Sequence, residues 1–434
     1  MFDRKRSAVH RRAFLRGGVL GLAGIALGAG LASALPGFMG RALAAPAGAK
    51  KRFIFVVNQG GWDPLNALTP LFGQSNIAMP IASSATTIGG LKLVDSAQRP
   101  SVRAFFEAHA ARTAIVHGVA VRSVAHDVCQ VTMMTGSATG GGADFATRLS
   151  EVGAADPLPH LVLAGPVYPG ALAPLVARAG ATGQLQGLVD ASILGASDIG
   201  LTPLKNPTRD KVDDFVRRRT RAWADAVGEA RADLPSALGR ASQLEALRGD
   251  LSFAADGSFE SQIELAVQAL GRGVAQCVTI SPPVSWDTHT DSDNQQSQLW
   301  EAFFAGMNRL ASRLATTPAP ILAGQSNVGM LASETVVVVL SEMARTPQLN
   351  ADNGRDHWPW TSVVLFGDGI TGGRAIGGYD AGYRGLGVDP ATGETDAARA
   401  APTPTQLGAT LMALADLDPS VLGPTVEPLV GILA

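Results

Sequence analysis

Four apolar runs limit the fold of this 434-residue chain more than any other feature. They are Lys51-Arg-Phe-Ile-Phe-Val-Val57, Val274-Ala-Gln-Cys-Val-Thr-Ile280, Thr335-Val-Val-Val-Val-Leu340 and Thr361-Ser-Val-Val-Leu-Phe366. Such runs, rich in β-branched and aromatic residues, suit strands buried on both faces. Shorter strands are predicted at Thr113–His117 and Leu161–Ala164. Helical spacing fills the intervals, at Ser101–Arg112, after His126, from Asp144 to Val152, at Ser258–Gly273 and at Thr405–Leu414. Gln295–Leu314 places Leu299, Phe303, Met307, Leu310 and Leu314 on one helix face. Strands alternating with helices predict an α/β fold, a largely parallel central sheet sandwiched by helices, with ligands at the carboxyl edge of the strands.

Three stretches depart from this pattern. Residues 74–100 are small and polar and are expected to form a surface excursion. Residues 166–207 are rich in Gly, Pro and Ala, with weak periodicity. Arg209–Arg248 returns to helical period through Val212, Phe215, Trp223 and Val227, which predicts a helical insertion around 208–273. The remainder of 45–434 is expected to be a single domain. The turn-rich Gly372–Tyr379 segment lacks the spaced glycines and Lys-Ser/Thr of a phosphate loop.

The first 44 residues read as an export signal. Arg4, Lys5 and Arg6 precede Arg11-Arg12-Ala13-Phe14-Leu15-Arg16. A Gly/Ala/Leu run follows, and Ala42-Leu43-Ala44 supplies small residues for cleavage. The paired arginines predict export of the folded chain by the twin-arginine translocation machinery, hence a periplasmic or secreted protein. Without that segment, 28 basic and 36 acidic side chains remain, a net charge of −8. No basic stripe is available for nucleic acid, and no second apolar span of about 20 residues follows the signal. Cys129 and Cys277 imply no disulfide framework, whether or not the two are paired.

Polar residues gather after the predicted strands. Asn58-Gln59-Gly60-Gly61-Trp62-Asp63 follows the first, Trp286-Asp287-Thr288-His289 the second and Ser341-Glu342-Met343-Ala344-Arg345-Thr346 the third. In an extended segment residues i and i+2 face the same way, so Asp287 and His289 can aim at one point. That pairing suits a first-row divalent metal. His126, at the expected N-terminus of a helix, and His357, in a turn with Asp356, add two imidazoles. Asp63, His126, Asp287, His289, Glu342 and His357 together are enough for one or two divalent ions, zinc or manganese first among them. Asp127 and Asp356 are candidates for orienting neighbouring histidines. His117 reads as a hydrogen-bonded structural histidine, and His109 and His160 as surface or turn residues. The three tryptophans beside site residues, Trp62, Trp286 and Trp358, fit core packing and a substrate wall equally well.

Gly60-Gly61-Trp62-Asp63, the His126 segment ending Thr135-Gly136, Trp286-Asp287-Thr288-His289, the Ser341–Thr346 element and Asp356-His357 occur in an order that resembles the bacterial "domain of unknown function 1501" proteins. That family is similar to the alkaline phosphatase and sulfatase superfamily. The resemblance implies a metal site at the strand ends. In it, Asp63 matches the first metal-binding aspartate, Asp287 and His289 a later Asp/His pair, Glu342 a further acidic ligand and His357 a final histidine. It also exposes a departure. Counting ten residues back from Gly136, where sulfatases carry the nucleophile, gives His126 and not Ser, Thr or Cys. His126 is then a metal ligand or a phosphoryl acceptor, and metal-bound hydroxide is the expected nucleophile. Arg345 stands either to neutralise a small anionic substrate or to pair with a sheet-edge carboxylate. Two readings remain: an exported metal-dependent hydrolase of phosphate or sulfate esters or a related anionic substrate, and a non-catalytic binding or scaffold protein that keeps the fold. Oligomeric state is not encoded in any of these signals.

Overall fold

The computed structural model describes residues 51–179, 206–227, 239–240, 243–244, 257–321 and 329–434. The expected signal and most of the stretch between 228 and 256 lie outside these residues. Among the described residues twelve strands run in chain order: β1 (Arg52–Asn58), β2 (Ser84–Ile88), β3 (Leu91–Asp95), β4 (Thr113–Ala120), β5 (His160–Val162) and β6 (Val176–Arg178) come first. They are followed by β7 (Cys277–Ile280), β8 (Thr335–Ser341), β9 (Ala344–Arg345), β10 (His357–Trp358), β11 (Trp360–Gly367) and β12 (Arg374–Ile376). Eight form one sheet in the order β12-β4-β11-β8-β1-β7-β5-β6. Only β11 runs against its two neighbours, so the sheet is largely parallel as expected.

β1 is buried throughout, and its alternation divides the core. Ile54 and Val56 face one apolar layer with helices α1 (Pro100–His109), α5 (Phe259–Gly271) and α6 (Ser292–Thr316). Phe53, Phe55 and Val57 face the other, with α2 (His126–Thr135), α3 (Phe145–Leu149) and α7 (Pro404–Leu414). Helix α4 (Asn206–Val227) opens the expected insertion and leaves Val212, Phe215 and Val216 exposed. Helix α5, at the end of that span, packs instead within the core on β7 and α6.

Several local expectations change. Residues 74–100 contain the β2–β3 hairpin, which buries Leu91, Leu93 and Val94, because Leu91 and Leu93 alternate onto one face. The turn-rich 372–379 segment supplies edge strand β12. His160 is fully buried, bridging the Thr147 and Thr279 hydroxyls at 2.9 and 2.8 Å. Burial pushes its pKa down, with Asp144 acting the other way. His117 is a structural histidine, bonded through Nδ1 to Ser362 Oγ at 2.9 Å. His109 is half-buried against Phe105 and Phe366. Cys129 and Cys277 are buried free thiols. Trp62 and Trp286 are core residues, grouped with Trp300 and Phe303: Trp62 stacks on Trp300 at 4.8 Å and meets Trp286 edge-on at 6.3 Å. Trp358 is half-buried beside a surface cleft. No helix among the described residues is long and apolar enough to cross a membrane.

Candidate metal centre

The carboxyl ends of β1, β7 and β8 lie side by side, and the polar clusters that follow them meet there. Gly60 makes the meeting close. Its φ is +106°, and a Cβ on it would sit 2.7 Å from the backbone nitrogens of Trp286 and Asp287. Only glycine tolerates both conditions. The chain then reaches Glu342 directly from β8, and His126 heads α2 after β4. Because β11 is antiparallel, its start lies at this same edge, which brings in His357 one turn of chain earlier, on β10 opposite Arg345.

Three imidazoles converge. His357 Nε2 lies 3.1 Å from both His126 Nε2 and His289 Nε2. The Asp287 carboxylate spans them, Oδ1 at 3.0 Å from His289 Nε2 and 3.2 Å from His357 Nε2, Oδ2 at 3.6 Å from His126 Nε2. Donor atoms of His126, Asp287 and His357 all lie within 4.8 Å of one another.

The outer ring nitrogens determine what this convergence means. His357 Nδ1 is 2.7 Å from the Val124 carbonyl, which only accepts, so Nδ1 carries the hydrogen. His126 Nδ1 faces Glu342 Oε1 at 2.9 Å, and His289 Nδ1 faces Asp356 Oδ1 at 3.0 Å. Both carboxylates also only accept when ionised. In the neutral rings the three Nε2 atoms therefore present lone pairs to each other and to a carboxylate. Such a cluster is repulsive unless a proton or a cation stands within it. Asp287, Glu342 and Asp356 against Arg345 leave two negative charges, which one divalent ion balances. Two donors at 2.0–2.1 Å from a tetrahedral zinc lie roughly 3.3 Å apart, close to the spacing seen here. The residues fit a divalent metal.

The surroundings reinforce each donor. The hydrogen bond to Glu342 raises the His126 pKa, against the effect of burial. Burial pushes the Asp287 carboxyl up, but the Arg345 guanidinium and His357 outweigh it and hold the carboxyl down at about 2. Bonds from His289 and Asn350 lower Asp356. Glu342 itself accepts from the Gly60 amide at 2.7 Å and the Ser341 hydroxyl at 3.1 Å.

Three expected positions turn out differently. Asp63 is not in the cluster. It is fully buried, caps a short 3-10 turn at Pro64–Asn66 and accepts from Leu65 N–H and the Asn66 amide, both at 3.0 Å. Its other partner is Arg355, at 3.1 Å. Glu342 contacts the ring of His126 from outside and does not join the inner donors. Arg345 is fully buried and cannot meet a substrate. Its Nε donates to Gly61 O at 2.8 Å, Nη1 to Arg355 O at 3.1 Å, and Nη2 to Gly60 O and to Asp287 Oδ1, the latter at 2.6 Å. Of its two expected roles, it has that of carboxylate partner. Asp356 orients a histidine, but the distant His289 and not its neighbour His357, and Asp127 shows no bond to a histidine. The Val124 carbonyl was not foreseen, because a backbone oxygen has no residue signature; nor was Gln296, which links the Asp63 amide to the Trp286 carbonyl, because it lies on a helix chosen for its apolar face.

A cleft of about 460 Å³ opens on His126, Asp287 and Glu342, with Gln59, Gln130, Ser285 and Val284 among its walls. A second, of about 390 Å³, lies beyond Asp356, next to Trp358 and Asn350. Among the described residues, neither cleft is lined by Lys or Arg.

Residues 233–423 match the model of a family described as "Protein of unknown function (DUF1501)", the family the motifs resemble. No curated protein sequence matches the chain. Among solved structures, Ps i-CgsB in complex with k-i-k-neocarrahexaose is similar at a TM-score of 0.40 and 10% identity, over 85% of this chain and 73% of that one. A protein in the alkaline phosphatase superfamily from Vibrio parahaemolyticus is similar at 0.35 and 10% identity, over 85% and 67%. The PH0037 protein from Pyrococcus horikoshii is similar at 0.29 and 12% identity, over 78% and 91%.

Proposed function

We propose that the chain is an exported metal-dependent hydrolase of phosphate or sulfate esters, with His126, Asp287 and His357 as the metal ligands. One observation carries the reading: neutral imidazole lone pairs and a carboxylate face one another at the mouth of a cleft. A divalent ion bound there would supply positive charge to an ester oxygen and acidify water.

The protein's own groups do the rest. Arg345 fixes Asp287, and Glu342 fixes His126 in the tautomer that offers Nε2. His289 is half-exposed and outside the three mutually close donors. With Asp356 holding its Nδ1–H, it accepts a proton from water at Nε2, as a general base requires. Gln59, Gln130 and Ser285 offer neutral hydrogen bonds to the substrate. With no guanidinium or ammonium on the described cleft walls, a dianion is poorly matched. Singly charged sulfate monoesters and phosphodiesters are favoured over phosphomonoesters.

A second reading has its own support. The 3.1 Å separation of His289 and His357 Nε2 lets His289 serve as a fourth donor. A closed four-ligand site is structural, and the protein would then be a non-catalytic metal-binding scaffold. His289→Ala separates them. Retained metal with hydrolysis reduced at least a hundredfold supports the hydrolase, and loss of metal supports the scaffold. Purified protein without stoichiometric divalent metal, and unaffected by chelation, overturns both.

A further inference from the structure

We propose that the buried Asp63–Arg355 ion pair is a positioning device for the metal centre, locking the loop that carries Asp356 and His357 onto the segment that carries Asp287 and His289. The proposal rests on the metal reading above and explains why an aspartate stands at position 63 without touching the cluster.

Both charges are fully buried, with Arg355 Nε 3.1 Å from Asp63 Oδ2 and a second carboxylate, Asp293, at 3.6 Å. Such a pair is a weak source of stability, because desolvation offsets much of the attraction. Direction comes from the hydrogen bonds around the pair, since Arg355 Nε is close to Asp63 Oδ2 without hydrogen-bond geometry. The Arg355 amide donates to the carbonyl of Thr288, the residue between Asp287 and His289, at 3.1 Å. Its Nη1 donates to Thr346 O at 2.9 Å and its Nη2 to Ala78 O, while its own carbonyl accepts from Arg345. Arg355 thus ties three separate loops together immediately before Asp356 and His357.

Asp63 completes the arrangement from below. Its amide donates to Gln296 Oε1 at 2.9 Å, and Gln296 Nε2 donates to Trp286 O at 2.9 Å and Thr288 Oγ1 at 3.1 Å. Asp63 therefore holds Arg355 through its side chain and the Asp287 segment through its backbone and Gln296. Neither residue lines either of the two clefts described above. Their effect on the ion passes through the groups they hold, which is how outer residues tune a metal site.

The test is a cobalt titration of the full chain, freed of metal by chelation, followed by visible absorption. Wild type is expected to bind Co²⁺ with a spectrum characteristic of its ligand geometry. Asp63→Asn, which keeps a cap oxygen but removes the charge, and Arg355→Lys, which keeps the charge but removes the planar fork, are each expected to weaken Co²⁺ at least tenfold. Each is also expected to change the band shape, measured where circular dichroism shows both folded. Glu264→Gln, which breaks a remote surface pair with Arg309 and Arg313, is the control for general destabilisation and should bind as wild type. Folded variants with wild-type affinity and spectrum overturn the positioning role, even if their melting temperatures fall. If one variant does not fold, the other decides; if neither folds, the pair is purely structural and the proposal is overturned. Wild type that takes up no cobalt, with the fold intact, is a different failure: it removes the metal reading itself, and this inference with it.

Discussion

The chain uses Trp-Asp twice at one sheet edge, with opposite results. Trp62-Asp63 follows β1 and Trp286-Asp287 follows β7, the strand beside it. Both indoles are buried in one aromatic group, 6.3 Å apart, and both aspartates pair with a buried arginine. Asp63 is 0% exposed and Asp287 is 36% exposed. Burial pushes the Asp63 carboxyl up although Arg355 acts against it, whereas Asp287 is held down at about 2. The difference begins with the next residue. Pro64 starts a 3-10 turn, and the Asp63 carboxylate folds back to cap it. Thr288 starts no helix; the next begins only at Ser292, and Asp287 points outward to the imidazoles. The same dipeptide is a buried brace in one place and an exposed ligand candidate in the other.

The largest effect is expected from Asp287→Ala. It should remove stoichiometric metal, measured by elemental analysis after gel filtration, while chemical denaturation shows a smaller loss than for Asp63, because three backbone carbonyls still accept from the buried Arg345 and water reaches the Asp287 side. Full metal occupancy in that variant would erase the contrast. Asp63→Asn should behave in the reverse order. It leaves Arg355 buried with weakened compensation, and urea unfolding should show a loss of about 3 kcal/mol. A loss below 1 kcal/mol would mean that Asp293 suffices for Arg355.

The two outer carboxylates sharpen the comparison on a smaller scale. Glu342, 1% exposed, and Asp356, 60% exposed, each hold one ring of the cluster. Glu342→Gln should weaken metal binding by about 10–100-fold, and Asp356→Asn by less, because water replaces an exposed acceptor. Equal effects in calorimetric titration would refute the burial argument.

The smallest effect is away from the centre. Burial pushes the His117 pKa down to about 4. The unfolded chain binds this proton near pH 6.5, the folded chain only near 4, so stability contributed by neutral His117 is lost as pH falls through that window. His117→Gln should flatten the dependence of unfolding free energy on pH between 6.5 and 4, by at most about 1.4 kcal/mol per pH unit. An unchanged slope would mean that the buried ring does not resist protonation.

Much of the fold was legible because its signals are local. A run such as Val336-Val337-Val338-Val339 fits nothing so well as a strand buried on both faces, and Gln295–Leu314 shows its helix face by spacing alone. The β12 strand was missed because three residues amid glycines carry no period. His160 was misjudged for a related reason: its partners, Thr147 and Thr279, are distant in sequence. The Asp287/His289 pairing followed from the two-residue repeat of extended chain, and His126 and His357 from their places at a helix N-terminus and in a turn.

By itself, then, the sequence determined a largely parallel sheet between helices, and polar clusters at the ends of its strands. Backbone propensity and hydrophobic period act over a few residues and can be read there. Tertiary structure alone decided which polar residues meet. The antiparallel direction of β11 brings His357 to the shared edge, the Val124 carbonyl fixes its tautomer, and Pro64 turns Asp63 away from the cluster and into the brace beneath it. Burial and the direction of a hydrogen bond depend on what the rest of the chain places alongside a residue, and no stretch of sequence around Asp63 or Asp287 contains that information.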